Sequence, residues 1–303
     1  MLLWQGARMQ VHLVDGTYEL FRHFYSPRGG HLNDAGEEVG AVRGVLRSLV
    51  TMLGDGVTHM GVATDHVIES FRNDLWPGYK DGSGVDSDLM RQFPWLEEAV
   101  TALGVTVWPM VEVEADDALG AAAVVAAADD RVERVVICTP DKDLAQCVGG
   151  KVLQYDRRAQ QYRDAEGVLD KYGVEPHSIP DWLALVGDSA DGFPGLPGWG
   201  AKTAAAVLRR YGRIEEIPHA PGQWDVAGVR GAAKLAATLV EELDRALLFK
   251  TLATLVTDVE VGVVDDWRWH GPTRGLYEWA ERLDAQDLVR NAERLAAERA
   301  PGG

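Results

Sequence analysis

Five short runs of branched apolar residues, each ended by a polar residue or a proline, constrain the fold of this chain more than any other feature. Runs of this kind are typical of strands buried in a sheet. Stretches with an apolar period of about 3.6 residues lie between several of them, as at 39–53 and 116–128. Because strands that alternate with helices build a mostly parallel sheet covered on both faces, we predict the α/β fold class. The predicted strands are 11–14, 60–63, 105–108, 134–139 and 152–155.

The character of the sequence changes after about Tyr172. Pro, Gly and Trp cluster at 176–200, and the helical period then returns. We therefore predict an α/β domain at 1–172 and a mainly helical region at 173–303. In the second region the predicted helices are 202–211, 232–249 and one or two within 276–298, and 251–264 is predicted to return as a strand to the first domain.

The net charge of −17, from 30 Lys and Arg residues against 47 Asp and Glu residues, argues by itself against a nucleic-acid partner. An acidic surface repels a polyanion. Net charge is a sum, however, and a site built from carboxylates to hold cations would contribute several of the negative charges. The positions of the acids therefore matter more than their number.

Two cysteines, Cys138 and Cys147, imply no disulfide framework and fit a reducing cytosol. No segment reaches the roughly 18 apolar residues that a membrane-spanning helix needs. The N-terminus lacks the basic, apolar and small-residue segments of a secretory signal. We therefore predict a cytoplasmic protein without a membrane partner.

Acidic residues follow the predicted strands and precede predicted helices. Asp15 ends the first strand and Asp65 the second, and the carboxyl ends of parallel strands form the sheet edge where ligands usually bind. An Asp in front of a helix is also a good N-cap, which would explain one acid at each helix. Capping does not explain E-x-D-D, D-x-D and D-x-x-D in one chain. The acids concerned are Asp15, Asp65, Glu114, Asp116, Asp117, Asp141, Asp143, Asp188 and Asp191.

Carboxylates gathered at one place raise the pKa of one another, and burying an unpaired carboxylate is costly. Bound cations remove both difficulties. Oxygen ligands without His or Cys favour Mg²⁺ or Mn²⁺ over Zn²⁺. Two such ions about 4 Å apart stabilise the attacking and leaving oxygens of an in-line phosphoryl displacement. The number of acids favours a two-metal site over a single Mg²⁺ ion.

A glycine-rich turn follows the acids at 195–203 and resembles a phosphate-binding P-loop only superficially. Ala201 separates the last glycine from the Lys-Thr pair, and the element before the turn, 180–187, has the pattern of a helix. The segment predicts a helix, a hairpin and a second helix whose N-terminal amides bind phosphate. The alternative is a hairpin that only packs the two helices. The residues assigned to DNA binding here are Gly198, Gly200, Lys202 and Thr203.

Two basic residues, Arg72 and Lys80, follow Asp65 in the pattern D-x5-FR-x6-YK. In acidic surroundings they are candidates to bind the scissile phosphate, and Tyr79 is a candidate to stack on a terminal base. The alternative is that both cations are solvated loop charges. Gly, Ser and Gly at 82–84 then predict a flexible link, as in a mobile lid.

Five segments together point to a family. In chain order they are VDGTYELFR, TDHVIESFRNDLWPGYK, VEADD, TPDKDLAQ and GDSADGFPGLPGWGAKTA. They resemble the motifs of the bacterial 5′–3′ exonuclease and flap-endonuclease family, which includes the N-terminal domain of bacterial DNA polymerase I. The resemblance runs from about Val11 to Tyr211 and is weaker in the tail. Five segments in the right order make it highly specific.

The resemblance implies a PIN-like nuclease core, a helical arch at about 72–95, and a helix–three-turn–helix DNA-binding module within 180–211. Arg72 and Lys80 take the positions that contact phosphate, and the hairpin takes the position of a potassium-assisted contact to the DNA backbone. The metal ligands are also implied. One ion would be bound by Asp15, Asp65, Glu114, Asp116 and Asp117, and the second by Asp141, Asp143, Asp188 and Asp191, with Asp116 able to bridge.

These expectations predict a structure-dependent 5′ nuclease that hydrolyses DNA phosphodiesters in replication or repair. Its cofactors would be two or three Mg²⁺ or Mn²⁺ ions, with K⁺ at the hairpin. Its substrates would be DNA with 5′ ends, flaps or junctions between single strands and duplex. A monomer associated with the nucleoid is expected.

Two alternatives stay open. A PIN-type RNA nuclease is disfavoured by the helix–hairpin–helix, because RNA is usually recognised through loops, stacking and 2′-hydroxyls. A catalytically silent DNA-binding protein, which would use metal ions only for docking, is disfavoured by the complete set of acids.

Overall fold

The computed structural model of this chain describes residues 9–27 and 30–300. They form two compact units. Unit 1 comprises residues up to 68, 82–139 and those from 257 onward, and unit 2 comprises 69–81 and 140–256. Residues 140–172 belong to unit 2 and the C-terminal segment belongs to unit 1. The domain boundary at 172/173 stays a prediction.

The secondary structure of the described residues alternates between strands and helices in its first half and is mainly helical thereafter. No helix in this part of the chain is both long and apolar enough to cross a bilayer. The strands are β1 (Met9–Asp15), β2 (His59–Asp65), β3 (Thr106–Met110), β4 (Val132–Cys138), β5 (Val152–Asp156) and β6 (Gln161–Arg163). The helices are α1 (Gly16–Phe24), α2 (Gly40–Gly54), α3 (Phe71–Leu75), α4 (Ser87–Met90), α5 (Gln92–Ala102), α6 (Ala115–Ala128), α7 (Ala165–Tyr172), α8 (Ile179–Val186), α9 (Ala201–Tyr211), α10 (Ala232–Glu241), α11 (Leu243–Ala253), α12 (Gly275–Arg282) and α13 (Gln286–Arg299).

Strands β1 to β4 form a parallel sheet in unit 1, in the order β3-β2-β1-β4. Val11 and Leu13 of β1 and Val62 of β2 are fully buried. Parallel strands covered on both faces have nearly continuous apolar sequences, which is why the sequence shows them so clearly. Helices α1, α5 and α6 pack against this sheet. The α/β fold class is confirmed, and each of the five predicted strands overlaps an observed one.

Strand β3 continues through Pro109, where the sequence predicts that it stops. Pro109 pairs in register with Thr64 of β2, and the strand ends at Met110. Since β3 lies at one end of the strand order, one of its sides has no neighbouring strand among the described residues. An edge strand tolerates a residue without an N–H group. The prediction of a stop at Pro109 is therefore wrong.

The strand predicted at 251–264 is also wrong. Residues 254–263 have no regular secondary structure, and those from 257 onward lie in unit 1. The indole N–H groups of Trp108 and Trp267 both donate to the Val261 carbonyl, at 3.1 and 2.8 Å. The two rings meet edge to face with their centroids 5.4 Å apart. Side-chain donors thus replace the backbone ladder that the Val and Thr pattern predicts.

Unit 2 is mainly helical, and β5 and β6 form an antiparallel hairpin within it. Apolar helix α8 packs against α9 and α11, and Leu183 is fully buried. Phe249 of α11 lies against Phe193, with ring centroids 5.4 Å apart, and meets Trp76 edge to face at 5.1 Å. The single helix predicted at 232–249 is divided into α10 and α11. The core of unit 2 therefore joins three segments that are distant in sequence.

Gly61 in β2 has no room for a side chain. A Cβ atom there would lie 2.0 Å from Cη2 of Trp108, which is fixed by its contact with Trp267. We expect Gly61→Ala to lower the free energy of unfolding by about 1–3 kcal/mol, because it overpacks a filled core. Gly54→Ala is the matched control, since nothing lies within 4 Å of a Cβ atom at that position. Urea denaturation measures both, and an unchanged midpoint for Gly61→Ala would contradict the packing described.

Candidate active site

In unit 1, two of the predicted ligands end neighbouring parallel strands. Asp15 is the last residue of β1 and Asp65 the last residue of β2, and the register pairs Asp15 with Ala63. Both acids therefore lie at the same edge of the sheet. Asp15 is buried, its Oδ1 accepts from the Tyr18 N–H at 2.8 Å, and its Oδ2 accepts from the Thr139 hydroxyl at 2.9 Å. Asp15 thus caps α1 and is held rigidly at the sheet edge.

Three further acids lie at the beginning of α6. Glu114 is the N-cap residue, and Oδ2 of the fully buried Asp117 accepts from the Glu114 N–H at 2.9 Å. The Asp65 carboxylate also reaches this helix end, where its Oδ1 accepts from the Ala115 N–H at 2.7 Å. Asp116 is partly exposed. The capping interpretation therefore holds for Asp65 and Asp117, and the positive end of the helix dipole stabilises their charges.

Unit 2 contains a second group of acids. One carboxylate oxygen from each of Asp143, Asp188 and Asp191 lies within 4.8 Å of the others. These residues are 8%, 1% and 6% exposed. Burial first, and then the negative charges of the neighbouring carboxylates, including exposed Asp141, raise the pKa of Asp143 well above its ordinary value. A cation would relieve this unfavourable arrangement of like charges.

The unit 2 acids fit a divalent metal ion. Oδ1 of Asp143 is buried and has no hydrogen-bond partner within the described part of the chain. Buried polar atoms nearly always have a partner, so an oxygen of this kind indicates a missing water or ion. The donors are all carboxylate oxygens, a set that suits Mg²⁺ or Mn²⁺ better than Zn²⁺. The geometry and the donor chemistry therefore agree.

Local turns place these acids. The Asp143 N–H donates to Oδ1 of Asp141 at 3.0 Å, where a 3-10 turn begins. In the loop after α8, Oδ1 of Asp188 accepts from the Ala190 N–H at 2.9 Å, and the Asp188 backbone pairs with Phe193. Asp side chains favour turns of this type because they bind the backbone two residues further on. The motifs D-x-D at 141–143 and D-x-x-D at 188–191 therefore also form local turns, in which the first Asp side chain binds the backbone two residues further on.

Two lysines of unit 2 pair with the buried acids. Nζ of Lys80 lies 3.0 Å from Oδ1 of Asp191, and Nζ of Lys142 lies 2.6 Å from Oδ2 of Asp188. Partial burial opposes the charged form of Lys142, but its hydrogen bond to Asp188 and the surrounding negative charge outweigh this and raise its pKa. The sequence analysis predicts a functional role for Lys80 but not for Lys142. The position of Lys142 between the predicted ligands Asp141 and Asp143 is the signal that could have identified it.

Arg72, a predicted phosphate contact, is buried in unit 2. Its side chain is buried, its Nε donates to the Leu252 carbonyl at 2.8 Å, and its Nη2 donates to the Thr254 carbonyl at 3.2 Å. The C-terminal end of a helix leaves carbonyls unsatisfied and attracts cations. Arg72 therefore stabilises the end of α11, and the description of it as a solvated loop charge is wrong.

Tyr79 lies in the hydrophobic core of unit 2 and is only 5% exposed, so its ring is not available to stack on a base in this conformation. The segment around it docks on the loop that carries Asp188. The Lys80 N–H donates to the Asp191 carbonyl at 3.0 Å, and the Trp76 indole donates to the Gly192 carbonyl at 3.1 Å. A Cβ atom on Gly192, where φ is +83°, would lie 2.0 Å from a backbone oxygen of this segment. This close docking brings Lys80 to the acids.

Residues 72–95, which the resemblance assigns to a helical arch, are all described by the structure and form no continuous helix. Helix α3 ends at Leu75, residues 76–86 are irregular, and α4 and the start of α5 follow. Gly84 within the irregular part has a φ of +83°, which favours glycine.

The predicted helix–hairpin–helix is confirmed as α8, the loop at 187–200, and α9. Gly187 and Gly195 cross in the hairpin so closely that a Cβ atom on either would lie 2.4 Å from backbone atoms of the facing segment. Both have positive φ angles, +90° and +69°. Glycine is therefore required at both positions by packing and by backbone conformation.

The backbone at the start of α9 is open. Gly198 has a φ of +83°, whereas Gly200, the N-cap residue, has an extended conformation with φ at −124°. Nothing lies within 4 Å of a Cβ atom at Gly200. Lys202 is exposed and Thr203 is half-buried in the first turn. Main-chain amides and one ammonium group are thus accessible at the positive end of α9.

An α/β unit with acids at its strand ends, together with a buried carboxylate cluster and a helix–hairpin–helix, defines the class of metal-dependent nucleases. Two family models that match this chain agree with the assignment to this class. The model described as 5′–3′ exonuclease, N-terminal resolvase-like domain, matches residues 10–173, and the one described as 5′–3′ exonuclease, C-terminal SAM fold, matches residues 174–274. This chain belongs to the 5′–3′ exonuclease and flap-endonuclease family, whose members are metal-dependent nucleases.

Relatives of known function include DNA polymerase I. That of Pseudomonas aeruginosa is 36% identical over 299 residues, which cover 93% of this chain and 31% of that protein. That of Bacillus subtilis is 34% identical over 263 residues, which cover 84% of this chain and 29% of that protein. The chain thus spans about a third of the length of these relatives.

Solved structures share the fold at low sequence identity. The D15 flap endonuclease of bacteriophage T5, in a complex with DNA and metal ions, has a TM-score of 0.63 and 18% identity, and the match covers 95% of this chain and 99% of that one. The catalytic core of Rad2 in complex with a DNA substrate has a TM-score of 0.60 and 15% identity, with 95% and 93% covered. The mostly parallel sheet and the helical second part are therefore those of this nuclease fold.

We expect Arg72→Met to lower the free energy of unfolding by about 2–4 kcal/mol, because the carbonyls of buried Leu252 and of Thr254 lose a charged donor. Arg290→Met replaces an exposed arginine on α13 and should change stability by no more than about 0.5 kcal/mol. Chemical denaturation compares the two. Unchanged stability together with lost nuclease activity would instead make Arg72 a substrate contact.

Proposed function

We propose that this chain is a structure-dependent 5′ nuclease that hydrolyses DNA phosphodiesters with the aid of divalent metal ions. The observation that supports it most is the buried group of Asp143, Asp188 and Asp191, with an unpartnered oxygen on Asp143, in a chain of the 5′–3′ exonuclease family. An acidic cluster with only a structural role would satisfy its oxygens internally. DNA as the substrate is supported by the fold shared with the T5 flap endonuclease and with the catalytic core of Rad2, whose solved structures both contain DNA.

We propose that each unit binds a metal ion through its own carboxylates. When bound, two Mg²⁺ or Mn²⁺ ions would stabilise the attacking and leaving oxygens of an in-line displacement. The chain contributes rigid placement, because strand ends, the N-terminus of α6 and tight turns fix the acids. The candidate ligands are Asp15, Asp65, Glu114, Asp116 and Asp117 of unit 1 and Asp141, Asp143, Asp188 and Asp191 of unit 2.

Lys80 is proposed to assist the chemical step. Its backbone and its ammonium group both bind Asp191, so its position relative to the unit 2 acids is fixed, while its side chain stays 32% exposed. A preorganised cation stabilises the negative charge that shifts between phosphate oxygens in the transition state. Arg72 contributes indirectly, because its bonds to the end of α11 hold the segment that carries Lys80.

The hairpin is proposed to bind the DNA backbone. Amides at the N-terminus of α9, the open backbone at Gly198 and Gly200, and the side chains of Lys202 and Thr203 can contact phosphate without reading bases. A K⁺ ion between the hairpin and a phosphate belongs to the same proposal. Contacts through amides need few basic side chains, which reconciles DNA binding with a net charge of −17.

A cleavage assay on a labelled DNA 5′-flap, beside an RNA of the same sequence and shape, tests the function as a whole. We expect the DNA to be cut only when Mg²⁺ or Mn²⁺ is present. Preferential cutting of the RNA would establish the PIN-type RNA nuclease instead. Binding of the flap without any cutting would establish the silent DNA-binding protein.

We expect Asp143→Asn to reduce DNA cleavage at least about a hundredfold, because a misplaced ion no longer stabilises the displacement. Binding to the same DNA should remain close to that of the wild type, since the phosphate contacts at the hairpin are unchanged. Asp170→Asn removes an exposed acid of α7 and is the matched control. Single-turnover rates at saturating Mg²⁺ give the comparison, and a near-normal rate for Asp143→Asn would refute the metal assignment.

We expect Gly200→Val to weaken binding to duplex DNA by about tenfold, whatever the base sequence, because its side chain would stand between the backbone and a phosphate. A Cβ atom at Gly200 has no neighbour within 4 Å among the residues that the structure describes, so there is room for a side chain. Gly222→Val is the matched control, because its Cβ atom would also meet nothing within 4 Å. Single-turnover cleavage at saturating enzyme should change little. Intact duplex affinity with a lost chemical step would instead place this loop in the active site.

A further inference from the structure

Both oxygens of the Asp188 carboxylate are engaged. This side chain is 1% exposed. Its Oδ1 accepts from the Ala190 N–H at 2.9 Å and so belongs to the turn after α8. Its Oδ2 lies 2.6 Å from Nζ of Lys142. A metal ion that uses Oδ2 of Asp188 therefore has to compete with the ammonium group of Lys142.

The competition is electrostatic as well as steric. A divalent ion binds a carboxylate oxygen at about 2.1 Å, so on Oδ2 of Asp188 it would lie within about 5 Å of an ammonium group that stayed in place. Like charges at that distance repel strongly where little water intervenes. Lys142 is 31% exposed, so its flexible side chain has a path to solvent. The ammonium can leave without opening the turn that holds Asp188.

We propose that Lys142 is an internal counterion: it neutralises Asp188 in the metal-free protein, and a divalent metal ion displaces it from Oδ2. The exchange makes and breaks no covalent bond. Before a metal ion binds, Lys142 reduces the repulsion among the buried carboxylates. Because the ion has to displace Lys142, the lysine also lowers the metal affinity of the protein. This inference rests on the proposed metal site and adds a residue that regulates its occupancy.

The affinity for Mn²⁺ tests this directly. Lys142→Gln keeps a donor for Asp188 but removes the positive charge. We therefore expect Mn²⁺ to bind at least about tenfold more tightly, because a unit charge about 5 Å from a divalent ion disfavours binding by at least that factor even at the dielectric constant of water. In EDTA the variant should melt at a lower temperature than the wild type, and Mn²⁺ should raise its melting temperature by more. Lys142→Arg keeps the charge and should bind Mn²⁺ as the wild type does.

Unit 2 offers a matched control. Nζ of Lys250 lies 2.8 Å from Oδ1 of buried Asp181 and 2.7 Å from Oε2 of Glu215, so Lys250 is a second lysine paired with a buried acid, outside the metal-binding cluster. Lys250→Gln should lower the melting temperature in EDTA and leave the Mn²⁺ affinity unchanged. The comparison separates the loss of a buried ion pair from the loss of a competitor for the metal.

Amine labelling followed by mass spectrometry reports the displacement itself. In wild-type protein, Lys142 should be modified slowly in EDTA and several-fold faster with Mn²⁺, while the modification of Lys250 should not change. Equal Mn²⁺ affinity of wild type and Lys142→Gln, or equal labelling of Lys142 with and without Mn²⁺, would overturn the inference and leave the proposed nuclease intact. Absence of any Mn²⁺ binding by the wild type would overturn the metal site and the counterion together.

Discussion

The carboxylates of Asp143, Asp188 and Asp191 repel one another, because their oxygens lie within 4.8 Å and each residue is almost wholly removed from water. Such a group persists only if the surrounding structure compensates it. Here the compensation comes from turn amides, from the ammonium groups of Lys80 and Lys142, and from the bound ions that we propose. The repulsion among these carboxylates destabilises the fold locally, and the packing of the unit 2 core has to offset it. The loop that carries Asp188 and Asp191 packs into this core through Phe193, Leu196 and Trp199.

The segment at 69–81 shows how the two are connected. It is separated from the acid loop by about a hundred residues of sequence, yet Trp76 and Lys80 bind that loop through its backbone carbonyls. Arg72 fixes the other side of the segment to the end of α11. The position of Lys80 thus depends on a buried arginine that supports the fold. In the function that we propose, a change at Arg72 would act on the chemistry through Lys80 rather than through the substrate.

Much of this architecture could be predicted from the sequence. The strands are local apolar runs, the helix–hairpin–helix is a local pattern of glycines, and both are confirmed because short-range periodicity and turn chemistry decide them. Candidate acids could be named for the same reason, since D-x-D and D-x-x-D are local motifs. The boundary of the compact units could not be predicted in this way, because it depends on which segments pack together after the chain has returned to unit 1.

The sequence by itself determined the residue types and their spacing: the parallel strands, the acids at strand ends and turns, and the glycines of the hairpin. Only the tertiary structure decided which polar and aromatic side chains are buried and what they bind. Tyr79 lies in the core of unit 2, Arg72 binds the carbonyls at the end of α11, and Lys142 pairs with Asp188. The physical reason is that burial and ion pairing depend on partners far away in the chain, up to 182 residues for Arg72, and such partners leave no periodic trace in the sequence.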